Sequence, residues 1–203
     1  MEGHGVGIPC AVVTCGPSID LPWSAFVGTF RVTVSKDYLV FSSAHFITLR
    51  GHTCESLHGH NYRVAVTVEG PIDSECLFVI DFAILKQVVR RYVDQVDHRV
   101  LLPTRNSKLA FREEGDTTYV EYFGVQTYQF PTRDCAMIPI ANTTAEMIAE
   151  WIAIGVRDDL RAGGAQLSFL QIEVEESFGQ VASYSETLPS RTDHKTGDPD
   201  ANE

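Results

Sequence analysis

Leu57-His58-Gly59-His60-Asn61-Tyr62-Arg63-Val64-Ala65-Val66-Thr67-Val68 is the most regular stretch of the chain. Tyr62, Val64, Val66 and Val68 alternate with Asn61, Arg63, Ala65 and Thr67, the period of a half-buried β-strand. Glu69-Gly70-Pro71 closes the run. Upstream, Phe30, Val32 and Val34, then Tyr38, Val40 and Phe41, suggest two extended runs joined near Ser35-Lys36-Asp37, or one bent strand. Strand character continues through Ser43-Ala44-His45-Phe46. Downstream, Asp81 is a plausible N-cap for a helix reaching about Val96, with Leu85, Val88, Val89, Tyr92, Val93 and Val96 as its buried stripe. A second helix is predicted from near Thr143, where Thr143 and Glu146 have capping-box spacing, to Gly163-Gly164. Gln166 to Glu176 alternates again, and Val181 to Tyr184 is a last short strand. Between Arg105 and Ile140 lies a separate β-rich piece, with a hairpin at Phe123-Gly124. The order strands, helix, strands, helix, strands predicts an α+β domain with mostly antiparallel pairing.

These patterns divide the 203 residues into an N-terminal arm (1–28), one domain (29–186) with a β-rich insertion at about 103–140, and a disordered acidic tail (187–203). The net charge of −11 leaves no basic surface for nucleic acid. No apolar run approaches the roughly 20 residues that cross a bilayer, and no membrane partner is expected. Residues 1–9 lack a secretory signal pattern. The five cysteines are odd in number and scattered, which argues for a reducing compartment, with the cytoplasm as the default expectation.

His58 and His60 lie two apart on a strand and so share a face. His45, on a neighbouring strand, can supply a third imidazole. Three neutral imidazoles leave a divalent cation its full charge and an open coordination position, which suits Lewis-acid catalysis. Alone, a His-x-His pair is a weak signal and reads first as two polar histidines on a half-buried strand.

Further motifs shift that balance. Phe41-Ser42-Ser43-Ala44-His45-Phe46, followed by Cys54 through Tyr62, resembles the signature of the 6-pyruvoyltetrahydropterin synthase and 6-carboxytetrahydropterin synthase family. Val79-Ile80-Asp81-Phe82 with Leu85-Lys86 resembles that family's first-helix opening, and Asp97-His98 its pair at the helix end. Asn142-Thr143-Thr144-Ala145-Glu146 is similar to its second-helix opening, and Ile172-Glu173-Val174-Glu175-Glu176-Ser177 to its glutamate-bearing strand. Five motifs fall in the family's order over roughly residues 30–100 and 140–185.

The resemblance implies the tunnelling fold (T-fold): an antiparallel β-sheet with two helices packed on one face, whose subunits associate into a β-barrel as a trimer and then a hexamer. It implies that His45, His58 and His60 hold Zn²⁺, that Cys54 is the general base, that Asp97 orients His98 as a proton shuttle, and that Glu176 anchors the pterin ring. The implied substrate is 7,8-dihydroneopterin triphosphate. The implied product is 6-carboxytetrahydropterin, on the way to deazaguanine nucleosides such as queuosine. Elimination of triphosphate to 6-pyruvoyltetrahydropterin is the alternative, and cleavage to a 6-hydroxymethyl pterin a third outcome. Glu55 bears on that third outcome, because some relatives use a glutamate base.

Other readings of the same residues stay open. Cys54 has alternative readings as a small buried residue or as a fourth zinc ligand, and Asp97-His98 as a helix C-terminal cap. Thr143 and Glu146 fit a cap better than a substrate contact, and strand phase favours Glu176 over Glu175. A non-catalytic zinc-stabilised assembly module and a zinc hydrolase are the rival classes.

Overall fold

The computed structural model describes residues 29–35, 39–51 and 53–189. The proposed arm, most of the proposed tail, and the middle of the join at Ser35-Lys36-Asp37 lie outside them. Ten strands and two helices follow in order: β1 (Phe30–Val34), β2 (Val40–His45), β3 (His58–Gly70), α1 (Phe82–Val96), β4 (Arg99–Pro103), β5 (Leu109–Glu114), β6 (Thr117–Tyr122), β7 (Val125–Pro131), β8 (Cys135–Ile138), α2 (Ala145–Ala162), β9 (Phe169–Ser177) and β10 (Gln180–Thr187). No helix among the described residues is long and apolar enough to cross a membrane.

The 13-residue β3 is the spine of a seven-stranded sheet ordered β10-β9-β3-β2-β4-β8. β1 pairs with the far end of β3, on the same edge as β2. Val34 stands opposite Val66 and Val40 opposite Arg63, so β1 and β2 act as one interrupted strand, and the Val64 amide bonds the Leu39 carbonyl at the break.

Pairing is antiparallel from β10 to β2, but β2–β4 and β4–β8 are parallel. Pairing is thus mostly antiparallel, as expected, with a parallel edge. The cause is connectivity. The chain reaches β4 through α1 and reaches β8 through the β5–β7 piece, and a long crossover returns a strand in the same direction as its neighbour. The β-rich insertion is accordingly smaller than expected. Its own three-stranded sheet runs from Leu109 to Pro131, while Cys135–Ile138 belongs to the main sheet.

Both helices lie on one face. Leu85, Val89, Val93 and Val96 of α1 and Ile148, Ile152 and Val156 of α2 share one core with Val64, Val66, Val68, Leu170, Ile172 and Val174. Each such side chain contributes about 1.5–3 kcal/mol on burial, and Leu85→Ala would cost about 2–5 kcal/mol. Gly155 allows the helices to approach, since a Cβ there would sit 2.2 Å from the Tyr92 ring. Tyr92 then donates to Asp159 at 2.8 Å.

The small sheet covers the opposite face. Leu101 belongs to the helix-side core, whereas its neighbour Leu102 packs with Phe46 and Val120 in a second cluster.

Both helix starts are set by side chains. Asp81 accepts from the Ala83 amide at 2.6 Å, as the sequence predicts. The second cap is Thr144, which accepts from Met147, and not Thr143. Thr143 is fully buried, and its hydroxyl is committed to the Phe46 carbonyl at 2.7 Å. At the C-terminal end β10 runs to Thr187 and Leu188 is buried, so order continues past the expected limit at residue 186.

Candidate metal and substrate site

The β2–β3 register sets His45 opposite His58, Ser43 opposite His60 and Phe41 opposite Tyr62, so all six side chains project from one face. Gly59 lets the two strands close up, because a Cβ there would lie 3.0 Å from the Ser43 carbonyl oxygen. The imidazoles therefore meet at the end of the helix-covered face, with their candidate ligand atoms all within 4.8 Å of one another.

Each ring is held by its other nitrogen. His45 Nδ1 donates to the Thr143 carbonyl at 2.7 Å, and His58 Nδ1 to the Ser56 carbonyl at 2.8 Å. His60 Nδ1 lies 3.2 Å from the Ser177 hydroxyl. A carbonyl only accepts, so the protons of His45 and His58 sit on Nδ1 and their Nε2 lone pairs point inward. Those two Nε2 atoms are 3.2 Å apart. Two acceptors that close fit a shared cation, and three imidazole nitrogens with tied backs are the donor set that Zn²⁺ and other first-row ions accept. Burial lowers the pKa of His45, outweighing the Thr143 bond and the Glu176 charge, which keeps the ring in its ligand-competent neutral form.

Glu176 comes from β9 in the phase of Val174 and Ile172, and its carboxylate turns toward the cluster. Its Oε1 lies 3.4 Å from His45 Nε2 and 3.9 Å from His60 Nε2. The fully buried Tyr62 donates to the same oxygen at 3.3 Å, and its ring stacks on Phe41. Burial, then Glu176, raises the Tyr62 pKa far above its ordinary value, so the phenol remains a donor. Glu175 is used elsewhere. It accepts from the Gly179 amide at 2.9 Å in the β9–β10 turn.

The other candidates stand apart from this cluster. Asp97 ends α1, accepts from the Ser42 amide at 2.9 Å, and holds His98 Nδ1 at 2.9 Å. Burial favours its neutral form, but the bonds from Ser42 and His98 outweigh that and keep its pKa low. His98 adopts φ +56° and its side chain is 82% exposed. An open cleft of about 550 Å³ has both His60 and His98 in its lining, with Ser42, Gly59, Asn61 and Arg99 between them. Cys54 pairs with Thr48 in an isolated bridge and packs against the Phe46, Leu102 and Val120 cluster beneath the small sheet. Burial, and next the Glu55 carboxylate, push its thiol upward.

The structure thus gathers His45, His58, His60 and Glu176, while Cys54 and the Asp97–His98 pair are not within ligand distance of the three imidazoles. Sequence reading missed Tyr62, Ser177 and the Thr143 carbonyl as supports. For Tyr62 the signal was present, since it lies two residues beyond His60 on the same strand.

The chain was also compared with known proteins. The 6-pyruvoyl tetrahydropterin synthase family pattern matches residues 33–187. A Methanocaldococcus jannaschii protein, provisionally named 6-carboxy-5,6,7,8-tetrahydropterin synthase, is 34% identical over 152 residues, covering 74% of this chain and 91% of that protein. The Haemophilus influenzae 6-carboxy-5,6,7,8-tetrahydropterin synthase is 29% identical over 157 residues, covering 75% and 98%. The crystal structure of Plasmodium vivax 6-pyruvoyl tetrahydropterin synthase superposes with a TM-score of 0.73 at 31% identity, covering 79% of this chain and 99% of that one. A solved variant of that protein replaces a glutamate, described as a catalytic residue, with alanine. With the family pattern spanning β1 to β10 and the same fold recovered in a solved member, this chain belongs to the 6-pyruvoyl tetrahydropterin synthase family.

Proposed function

We propose that the chain is a cytoplasmic zinc-dependent lyase that converts 7,8-dihydroneopterin triphosphate to 6-carboxy-5,6,7,8-tetrahydropterin, a step toward deazaguanine nucleosides. One observation carries the reading. Three imidazole nitrogens converge with their opposite nitrogens tied, next to a carboxylate in the correct strand phase. His45, His58 and His60 would hold the metal, which when bound supplies Lewis-acid polarisation of the substrate side chain. Glu176 accepts hydrogen bonds from the amino-pyrimidine edge of the pterin. Cys54 is the base that takes the side-chain proton, and His98, oriented by Asp97, moves a proton to or from the same side chain.

Because the His98 side chain is turned to solvent, we place the complete site between copies of the chain. A trimer-based hexamer closing a β-barrel is the assembly that the family likeness suggests. The test is to incubate the purified zinc-loaded protein with dihydroneopterin triphosphate and identify the pterin product by mass. The carboxy product supports the reading, and no pterin product overturns it. The pyruvoyl product assigns the chain instead to triphosphate elimination.

A second reading has an observation of its own. Glu55 Oε2 is buried without a hydrogen-bond partner among the described residues, directly beside Cys54. A Plasmodium vivax relative has a glutamate described as a catalytic residue. If Glu55 rather than Cys54 takes the proton, a 6-hydroxymethyl pterin is the product. Glu55→Gln then abolishes it while Cys54→Ala does not.

A further inference from the structure

We propose that Asn142, in the segment before α2, is a positioning residue that fixes the loop carrying Cys54 to the same frame that holds His45. This rests on the reading of Cys54 as the base, and it gives the approach to the second helix a part in the chemistry.

The loop leaves the main sheet at His45 and re-enters it at His58, and those two residues stand opposite each other in the β2–β3 register. Cys54 is carried on a narrow turn within it. Thr48 and Cys54 form an antiparallel bridge. Flanking bonds run from the Leu49 amide to the Thr53 carbonyl at 2.7 Å and from the Glu55 amide to the Ile47 carbonyl at 2.8 Å. Where Thr48 sits therefore decides where Cys54 sits.

Thr48 is gripped from a point 94 residues later in the chain. Its amide donates to Asn142 Oδ1 at 3.1 Å, and its carbonyl accepts from Asn142 Nδ2 at 3.1 Å. A carboxamide offers an acceptor and a donor side by side, so it closes on a main-chain N–H and C=O as a neighbouring strand would. The next residue continues the grip. Thr143 Oγ1 donates to the Phe46 carbonyl at 2.7 Å, and the Thr143 carbonyl accepts from His45 Nδ1 at 2.7 Å. Asn142 Oδ1 also accepts from the Thr143 amide at 3.2 Å, which locks the two residues to each other. One dipeptide thus holds His45, Phe46 and Thr48, with an imidazole of the cluster at one end and the support of the base at the other. Asn106 and Lys108 hold the same turn, through the Thr48 hydroxyl at 2.9 Å and the Leu49 carbonyl at 2.8 Å. Loss of Asn142 should therefore misplace the turn without unfolding it.

The test measures amide hydrogen exchange and steady-state kinetics of Asn142→Ala in the zinc-loaded protein. Exchange at the Leu49 and Glu55 amides, which bond within the turn and not to Asn142, should become about ten- to a hundredfold faster. kcat should fall about ten- to a hundredfold, while KM stays within about twofold and metal content is unchanged. Asn142→Asp keeps the shape and the acceptor and removes the donor to the Thr48 carbonyl. It should move the same readouts in the same direction even if the alanine variant fails to fold. Exchange that stays at the parent rate overturns the proposal. Faster exchange with unchanged kcat also overturns it, and makes Asn142 a support of the fold alone. Faster exchange in a chain whose parent makes no pterin product supports the grip on the turn and overturns the lyase reading alone.

Discussion

The imidazole cluster and the places that hold Cys54 and His98 are built in different ways. The cluster stands on two paired strands, and the strand register, Thr143, Ser56 and Ser177 fix its rings. Cys54 sits in the loop between β2 and β3. His98 projects from the end of α1 with 82% of its side chain exposed. On the proposed reading the metal half is finished within one chain, whereas His98 of the acid–base half is offered outward. This difference teaches that a precise ligand set must be preorganised by the fold, while proton carriers can be delivered by assembly.

The largest effect that can break this contrast is loss of one imidazole. His58→Ala should lower metal content from about one ion per chain to near zero and reduce turnover by more than about a thousandfold. Far-UV circular dichroism should be unchanged, because His58 is not among the residues of the core. Chelation of the unaltered protein should do the same. Unfolding on chelation would mean that the cluster is a structural support after all.

Next comes a mixing experiment. Cys54→Ala should cost about a hundred- to ten-thousandfold in kcat with metal content unchanged. Equal amounts of His58→Ala and Cys54→Ala, unfolded and refolded together, should recover activity that neither has alone. Each mixed interface can then pair an intact metal half with an intact base. No recovery would place both halves in one chain and erase the contrast.

A smaller effect sharpens it from the side of the metal half. Tyr62→Phe retains the stacking on Phe41 and removes the donor to Glu176. KM should rise about three- to tenfold with kcat and metal content nearly constant, since one hydrogen bond to a charged group is lost from the ring anchor. An unchanged KM would detach Glu176 from pterin binding.

Much of this was legible in the residues, for reasons that differ by element. β3 and α1 carry clean periods of two and 3.6, so their faces, and with them the convergence of His58 and His60, follow from spacing. The phase of Leu170, Ile172 and Val174 likewise selects Glu176. Thr143 is harder to read because two adjacent threonines can each cap a helix. Only the tertiary fold decides, by burying Thr143 against Phe46 and leaving Thr144 for Met147. The parallel β2–β4–β8 edge carries no local mark, since Leu101 and Leu102 are both buried and show no alternation.

The smallest effect concerns the outward half. Asp97 caps the α1 end, and its carboxylate is held at low pKa by Ser42 and His98 against the opposing influence of burial. The folded protein therefore binds this proton less readily than the unfolded chain. Its contribution is complete above the ordinary aspartate value near 3.8, and is lost as pH falls through the lower folded value. Asp97 is about one-third exposed, so solvent screening limits the contribution to roughly 1 kcal/mol or less. Urea midpoints measured from pH 6 down to pH 2 should show Asp97→Asn below the parent protein at the upper end, with the gap closing toward the lower end. A gap that stays constant would mean that Asp97 supports the helix end by shape alone. His98 would then have lost the charge that orients it.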